Sequence, residues 1–285
     1  MRSGVEIGRT TVTANGLEFA ALECGAAEAP LALCLHGFPD SAYTWRYLLP
    51  QLADAGFHAV APWLRGYAPS ALAADGDYSL AALAADTNAL HDALGGGSDA
   101  VLIGHDWGAM TAYGAGALRP DAWRRLVTIA VPPPAVTMTA FMNYRQIKRS
   151  FYIFVFQTAL AEMLVGADDL AFVANLWADW SPGYDATEDV QHVRDALGDP
   201  ANLAAAIGYY RAMLGGGGSF TESPPQPTLY LHGDADGCFG VEGLAGTAEA
   251  LSPGSRAETL PGVGHFLHVE RPDEVNRLIL DWLAS

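Results

Sequence analysis

The chain has 285 residues, of which 51% are hydrophobic, enough for one large α/β domain with an insertion. Its 15 basic residues stand against 32 acidic residues, which gives a formal net charge of −17. A surface this negative repels nucleic-acid phosphates and anionic membranes, so we expect neither as a partner.

Three cysteines, Cys24, Cys34 and Cys238, are odd in number and lack the spacing of metal ligands. This pattern is typical of thiols in a reducing compartment rather than of a disulfide framework. The first residues show no signal-peptide stretch, and the longest uncharged run, 126–144, is interrupted by three prolines. We therefore expect a soluble cytoplasmic protein without a metal site.

Strand and helix patterns alternate along most of the chain. Asn15-Gly16 separates the first two strands and is a strong two-residue hairpin signal. Strands are predicted at 10–13, 17–23, 31–35, 58–62, 100–103, 126–131, 228–231 and 256–260, and helices at 43–55, 78–94, 107–118 and 269–283. This alternation predicts an α/β protein with a mostly parallel central sheet flanked by helices.

The alternation is interrupted once, at the three consecutive prolines 132–134. From there to about residue 222 the pattern is helical and rich in aromatic residues, and strands resume after a second proline cluster at 224–227. We therefore predict a first core part at 1–132, a helical cap at 133–222 and a second core part at 223–285.

Asp106 is the candidate nucleophile. It lies between a predicted strand and a predicted helix, with Gly104 and Gly108 two positions away on either side, which is the spacing of a nucleophile elbow. Such a turn pushes the central side chain out over the carboxyl end of the sheet. A carboxylate is ionised at neutral pH without an activating base, and it can displace a leaving group at saturated carbon. An isolated motif of this kind is also typical of a helix-capping turn, so the neighbouring motifs decide.

The general base and its partner acid are predicted from two later loops. His265 follows the last predicted strand in a glycine loop, which suits the chain order nucleophile, acid, base. His268 is a competitor that lacks this loop setting. Asp236, the fourth residue of a G-x-x-D turn, is the preferred acid, and Asp234 is the alternative.

The loop at 36–39 follows an early strand and predicts the oxyanion donors. Its Phe38 N–H would be one donor, and the Trp107 N–H, directly after the nucleophile, would be the other. Taken alone, the loop is also consistent with an ordinary turn at the end of a strand.

With these motifs the sequence resembles the epoxide hydrolase branch of the α/β-hydrolase superfamily, over nearly the whole chain. The resemblance is carried by residues 36–39 (HGFP), 65–67 (RGY), 104–108 (GHDWG), Asp236 and 264–266 (GHF). It implies an α/β-hydrolase fold with an inserted helical cap. It also implies hydrolysis of a small apolar epoxide to a diol through an Asp106 ester, with no metal or organic cofactor; a homodimer is left open.

The family donates hydrogen bonds to the epoxide oxygen from two cap tyrosines. The matching segments give Tyr152 and Tyr210, with Tyr209 as the rival of Tyr210. Tyr152 could instead belong to an aromatic stripe that packs the cap onto the core. The aromatic and aliphatic cap suggests an apolar pocket, and the residues assigned to substrate binding are His36, Pro39, Phe154, Trp177, Tyr209 and Phe266.

Other functions share parts of this pattern. Haloalkane dehalogenases use the same aspartate but generally place a second halide donor where this chain has Phe38. A fluoroacetate-type dehalogenase would need arginines directly after the nucleophile, where 107–110 hold none. A non-enzymatic ligand binder on this fold would be expected to lose a triad member, and all three positions are filled. Trp63 stands where relatives usually carry Asp, so we expect a change either in the floor of the site or in its support.

Overall fold

The computed structural model describes residues 6–215 and 223–285. Its strands are β1 (Gly8–Ala14), β2 (Leu17–Cys24), β3 (Leu31–Leu35), β4 (His58–Pro62), β5 (Val101–His105), β6 (Arg125–Ile129), β7 (Thr228–Gly233) and β8 (Arg256–Leu260). They form one sheet in the order β1-β2-β4-β3-β5-β6-β7-β8. β2 is antiparallel to both of its neighbours, and all pairs from β4 to β8 are parallel. The predicted fold class is confirmed.

The burial of the strands explains their sequence patterns. β3, β4, β5 and β7 are buried at every position, because helices cover both faces of the parallel part of the sheet. The hairpin between β1 and β2 has Asn15 and Gly16 at φ angles of 47° and 75°. Two positive φ values fit a type I′ turn, which pairs Ala14 with Leu17 as predicted.

Thirteen α-helices lie within the described residues. They are α1 (Leu49–Asp54), α2 (Leu80–Ala93), α3 (Trp107–Leu118), α4 (Pro134–Ala140), α5 (Tyr144–Arg149), α6 (Phe151–Phe156), α7 (Ala161–Gly166), α8 (Ala171–Trp180), α9 (Thr187–Leu197), α10 (Pro200–Leu214), α11 (Thr247–Ala250), α12 (Leu267–Glu270) and α13 (Pro272–Ala284). None of them combines the length and the apolar character that a membrane span requires.

Two predicted helices are each split in the structure. The stretch predicted as one helix over 43–55 forms a 3-10 turn at Ala42–Trp45 and then α1, with Pro50 in the first turn of α1. The stretch predicted over 269–283 forms α12 and α13, and Pro272 is the first residue of α13. Proline lacks an N–H and collides with the preceding turn, so it is accepted at the start of a helix and not in its interior.

Helices α4 to α10 all lie between β6 and β7, and we call residues 134–214 the cap segment. Its aromatic side chains reach the core: the ring of Phe156 lies edge-on to Phe38, and Trp177 stacks on Phe266 at a centroid distance of 3.4 Å. The predicted end of the cap, at 222, lies outside the described residues. The division into core and cap therefore stays a prediction.

The topology brings the predicted site loops together. β3 and β5 are neighbours, with Leu35 paired to Gly104, so the loops that follow both strands emerge at the same edge of the sheet. β7 and β8 are parallel to them, so the loops that carry Asp236 and His265 open toward the same edge. Ligand sites of parallel sheets lie at this carboxyl edge.

Candidate active site

Asp106 occupies a strained turn between β5 and α3. Its φ is 53° and its ψ is −117°, a backbone conformation that is costly for a residue with a Cβ and is typical of functional sites. A Cβ at Gly104 would collide with the backbone of Gly108, and a Cβ at Gly108 would collide with the Leu35 carbonyl. Both glycines are therefore required by close backbone contacts, as the elbow spacing predicts.

One oxygen of the Asp106 carboxylate, Oδ1, is held by the loop at 36–39. The Phe38 N–H donates to Oδ1 at 2.8 Å. A Cβ at Gly37 would collide with this same Oδ1, so the loop approaches the carboxylate closely only because residue 37 is glycine. The Trp107 amide nitrogen lies against the same glycine. Of the two predicted oxyanion donors, Phe38 is already hydrogen-bonded to Asp106, and Trp107 lies next to it.

His265 lies between two carboxylates. Its Nδ1 is 2.9 Å from Oδ2 of Asp236, and its Nε2 is 3.6 Å from Oδ2 of Asp106. Asp236 is itself fixed, because its Oδ1 accepts the N–H groups of Cys238 and Phe239. Since a carboxylate can only accept, Nδ1 carries a proton and Nε2 faces the nucleophile.

The two rival residues of this triad lie elsewhere. Asp234 is exposed and accepts the Gly262 N–H at 2.5 Å, so it stabilises the turn. His268 is buried with its Nε2 2.5 Å from the Thr44 hydroxyl. Neither faces Asp106, and the preferred residues Asp236 and His265 are the ones that the structure brings together.

Charge in the site is concentrated on the triad. Burial opposes ionisation of Asp106, but the neighbouring His265 and the Phe38 N–H hold the pKa of this carboxyl below its usual range. Burial also opposes the charged form of His265, but the two carboxylates outweigh it and raise its pKa to about 10. By contrast, burial lowers the pKa of His105 to about 3 and of His36 to about 4, so both are neutral. Asp106 and His265 thus form an ion pair near neutral pH.

Two cap tyrosines line the space next to Asp106. The ring of Tyr210 lies edge-on to Phe38 and Trp107, at 5.3 and 5.1 Å, and 5.6 Å from the ring of Tyr152. The Tyr210 hydroxyl has no hydrogen-bond partner among the described residues, although it is buried. Burial and the charge of Asp106 contribute to a pKa well above the ordinary value for both phenols. Both are therefore protonated donors at neutral pH.

Tyr209 points away from the nucleophile. Its hydroxyl donates to the Arg65 carbonyl at 2.7 Å, and its ring lies beside Tyr67 and Tyr78. Consecutive helix residues are rotated by about 100°, so only one of the two neighbouring tyrosines on α10 can face Asp106. That residue is Tyr210.

The other residues assigned to substrate binding have mixed positions. Phe266, next to His265, stacks on Trp177, whose indole N–H donates to the Pro39 carbonyl at 2.8 Å. His36 uses both ring nitrogens on backbone, with Nδ1 at Gly37 O and Nε2 at Leu64 N, so it supports the loop rather than offering a polar group to a ligand. Phe154 is not brought to the site: it is 52% exposed, on the outer face of α6.

Trp63, the departure from the family pattern, packs against Tyr43 and Arg9. Its ring packs against Tyr43 at 5.6 Å and against the guanidinium of Arg9. These partners are remote in sequence from the triad loops. The substitution is therefore accommodated by packing with Tyr43 and Arg9.

Sequence reasoning missed the residues that hold the two triad loops together. The Trp180 carbonyl, at the end of α8, accepts both the Gly237 N–H and the His265 N–H, at 3.1 and 2.9 Å. Ser181 Oγ, the next residue, accepts the Phe266 N–H and donates to Glu270. A backbone carbonyl leaves no pattern in the sequence, so this link between the cap segment and the triad had no signal.

Sequence reasoning also missed a cluster of buried polar side chains behind the triad, formed by Asp40, His105 and His268. The Nε2 of His105 lies 3.0 Å from the His265 carbonyl, and its Nδ1 lies 4.0 Å from Oδ2 of Asp40. Burial, reinforced by Asp189, raises the pKa of Asp40 to about 8 despite hydrogen bonds from Thr44 and Ser41. Asp40 is therefore protonated in the folded protein at neutral pH.

The raised pKa of Asp40 predicts a pH-dependent stability difference between the wild type and Asp40→Asn. Asp40 binds its proton more tightly in the folded state than in the unfolded state, so protonation stabilises the folded protein. This contribution is fully present below the unfolded pKa of about 3.9 and is lost as the pH rises through about 8. Asparagine keeps an acceptor for the Ser41 N–H and does not ionise. In thermal unfolding from pH 4 to 8.5, the melting temperature of Asp40→Asn should increase relative to that of the wild type as the pH rises. Plots of melting temperature against pH that run parallel for the two proteins would contradict the raised pKa.

Comparison with known proteins gives consistent matches. A model of the alpha/beta hydrolase fold matches residues 30–272. Epoxide hydrolase A of Mycobacterium tuberculosis is 30% identical over 96% of this chain and 96% of its own length, and epoxide hydrolase 3 of Xenopus tropicalis is 31% identical over 95% and 76%. The crystal structure of an epoxide hydrolase from Bacillus megaterium in complex with an inhibitor has a TM-score of 0.85 at 26% identity, covering 97% of this chain and 100% of that one. The matches extend over both the sheet and the cap segment.

Proposed function

The chain belongs to the epoxide hydrolase branch of the α/β-hydrolase superfamily, and we propose that it hydrolyses apolar epoxides to vicinal diols through an ester on Asp106. The observation that carries the mechanism is the asymmetry of the Asp106 carboxylate. Oδ1 is engaged by the Phe38 N–H, whereas Oδ2 lies 3.6 Å from Nε2 of His265. Oδ2 is therefore the nucleophilic oxygen, and Oδ1 becomes the oxyanion in the second step.

In the first step, Asp106 Oδ2 attacks an epoxide carbon and the ring C–O bond breaks. The ring oxygen takes up negative charge, and one of the two phenols, Tyr152 or Tyr210, gives it a proton while the other donates a hydrogen bond. A carboxylate suits this step because the carbon attacked is saturated, and no metal is needed to polarise it. The product is a hydroxyalkyl ester of Asp106.

In the second step, His265 takes a proton from water, and the resulting hydroxide attacks the carboxyl carbon of Asp106. The tetrahedral intermediate places its charge on Oδ1, where the Phe38 N–H is already aligned and the Trp107 N–H lies close by. The ester C–O bond then breaks, and His265 returns its proton to the departing diol oxygen. The proton of the new Asp106 carboxyl group passes to the tyrosinate left by the first step, and the water oxygen remains in the carboxylate.

The apolar surroundings of Asp106 favour an apolar substrate. Phe38, Phe156, Tyr152 and Tyr210 pack edge-to-face around the carboxylate, and Asp106 is only 5% exposed. An epoxide bound beside Asp106 would therefore contact aromatic rings. The net charge of −17 also disfavours anionic substrates.

The direct test is a substrate panel with the purified chain: styrene oxide, an aliphatic terminal epoxide, 1-bromobutane, fluoroacetate and a nitrophenyl ester. We expect diol from the epoxides. Halide release without diol would assign the chain to the dehalogenases, which use the same aspartate. Ester cleavage alone would reject a carboxylate nucleophile.

The tyrosine assignment predicts that Tyr152→Phe and Tyr210→Phe each slow epoxide opening by roughly 10- to 100-fold, and that the double variant approaches 10⁴-fold, the range of general acid catalysis. Each substitution removes one donor and preserves the packed ring. The rate of ester formation under single-turnover conditions measures the effect. Tyr209→Phe is the matched control, since its hydroxyl is bound to Arg65 O. An equal loss in Tyr209→Phe would contradict the assignment.

A further inference from the structure

Cys238 lies in the active site, although the spacing of the cysteines in the sequence indicated no metal ligand. Its thiol, the Asp106 carboxylate and the His265 imidazole each offer one donor atom, and these three atoms lie within 4.8 Å of one another. All three side chains are buried. We propose that Asp106, Cys238 and His265 form an inhibitory binding site for a divalent zinc ion, which occupies the nucleophile and the base together.

The donor set matches the preference of zinc. Zn²⁺ binds thiolate, imidazole and carboxylate, at about 2.3 Å to sulfur and about 2.0–2.2 Å to nitrogen or oxygen. In a tetrahedral site such bonds place neighbouring donor atoms roughly 3.5 Å apart. The distance from Asp106 Oδ2 to His265 Nε2 is 3.6 Å. Two of the three donors therefore already have the separation that a tetrahedral ion requires, and the thiol sulfur lies within 4.8 Å of both.

The donors are also oriented by the groups behind them. Asp236 Oδ2 accepts from Nδ1 of His265 at 2.9 Å, which leaves Nε2 for the metal, as in the carboxylate–histidine–zinc arrangement. The other oxygen of Asp236 accepts the Cys238 N–H at 2.7 Å, so one carboxylate positions two of the ligands. The Tyr152 hydroxyl, 3.6 Å from the Cys238 sulfur, can donate to the thiolate that metal binding creates.

Metal binding releases the thiol proton of Cys238 and the Nε2 proton of His265 to solvent and leaves one tetrahedral position for water. It blocks the proposed reaction because Oδ2 of Asp106 and Nε2 of His265 become ligands. The binding itself does not depend on the proposed function, since it is measured without substrate. A zinc site can therefore be present even if the chain acts on another substrate, and failure of one conclusion does not affect the other.

The experiment compares the full-length wild type with Cys238→Val and with Cys24→Val, a matched loss of a buried thiol on β2. Zinc binding is measured by competition with a chromophoric chelator. We expect about one ion per chain for the wild type and Cys24→Val, and at least about 100-fold weaker binding for Cys238→Val, because loss of an outer-shell partner alone costs 10- to 100-fold. Zinc should inhibit the wild type reversibly, with recovery on adding a chelator.

Cobalt(II) provides a second readout on the wild type alone, which holds even if Cys238→Val fails to fold. A cobalt ion bound by Cys238 gives a thiolate-to-metal charge-transfer band in the near ultraviolet. Equal zinc affinity in Cys238→Val, or a cobalt complex of the wild type without that band, would overturn the proposal. Cys238→Ser, with a weaker ligand of similar size, should bind zinc with reduced affinity.

Discussion

Asp106→Ala is expected to eliminate diol formation, with a loss of turnover on the order of 10⁴-fold or more, the scale seen when a covalent nucleophile is removed. The side chain supplies the attacking oxygen, and the elbow that presents it is formed by backbone contacts of Gly104 and Gly108, which alanine preserves. The measurement is diol production from styrene oxide, together with the intact mass of the protein during turnover. The wild type should show a transient adduct of substrate mass, and the variant should not.

Asp106→Asn can regain activity, because an amide beside His265 and the oxyanion donors can itself be hydrolysed to aspartate. A labelling experiment avoids this difficulty. In a single turnover in water labelled with heavy oxygen, the ester mechanism transfers an unlabelled Asp106 oxygen to the diol and leaves the label in the protein. Label in the diol from the first turnover would show direct attack by water, with Asp106 acting as a base.

The parts of this site that were predictable from sequence depend on local backbone rules. The elbow around Asp106 needs small residues at fixed distances in the chain, so its spacing alone indicates it. The glycine loop before His265 follows a strand directly, which fixes its position at the carboxyl edge of the sheet. Such signals are contained within a few neighbouring residues.

The local pattern favoured one of the two candidate acids but did not decide between them. Asp234 and Asp236 lie in one turn, and they differ in which carboxylate turns inward to accept the N–H groups of Cys238 and Phe239. That direction depends on how the turn packs under Trp180. The place of Asp236 as the fourth residue of a G-x-x-D turn favoured it over Asp234, and the geometry agrees with that choice.

Positions within the cap segment were the hardest to predict. All six residues of α6 are apolar or aromatic, so periodicity gave no polar face to orient the helix. Phe154 therefore could not be distinguished from Phe156, although the former is half exposed and the latter contacts Phe38. Cys238 reaches the triad only through tertiary packing, which its spacing from other cysteines could not show.

His265→Gln is expected to separate the two steps of the reaction. Ester formation requires the ionised Asp106 and the two tyrosine donors but not His265, so the variant should release diol only slowly and accumulate about one equivalent of alkylated protein. Hydrolysis of the ester should slow by on the order of 10²- to 10⁴-fold, the usual contribution of a general base. Intact-mass measurement after mixing with epoxide detects the adduct. His268→Gln, which changes the buried histidine near Thr44, serves as the control and should still hydrolyse the ester.

The pH dependence follows from the charges around His265. In the free enzyme, burial opposes the imidazolium, but Asp236 and Asp106 raise the pKa of His265 to about 10. Esterification makes Asp106 neutral and removes one of these two charges, so the pKa falls and the neutral base becomes available for the second step. In the wild type, ester hydrolysis should therefore accelerate with rising pH, while ester formation stays nearly constant above the lowered pKa of Asp106. The ester should accumulate at acidic pH.

The ion pair between Asp106 and His265 also makes the stability of the folded protein depend on pH. Because the folded-state pKa of His265 is raised, the stabilisation is fully present below the unfolded value of about 6.5 and is lost as the pH rises toward about 10. The stability difference between wild type and His265→Gln should therefore shrink over that interval in denaturant titrations. A constant difference, together with ester hydrolysis independent of pH, would mean that His265 is neutral in the free enzyme. In that case Asp106 and His265 would not form an ion pair, and esterification would not be needed to generate the base.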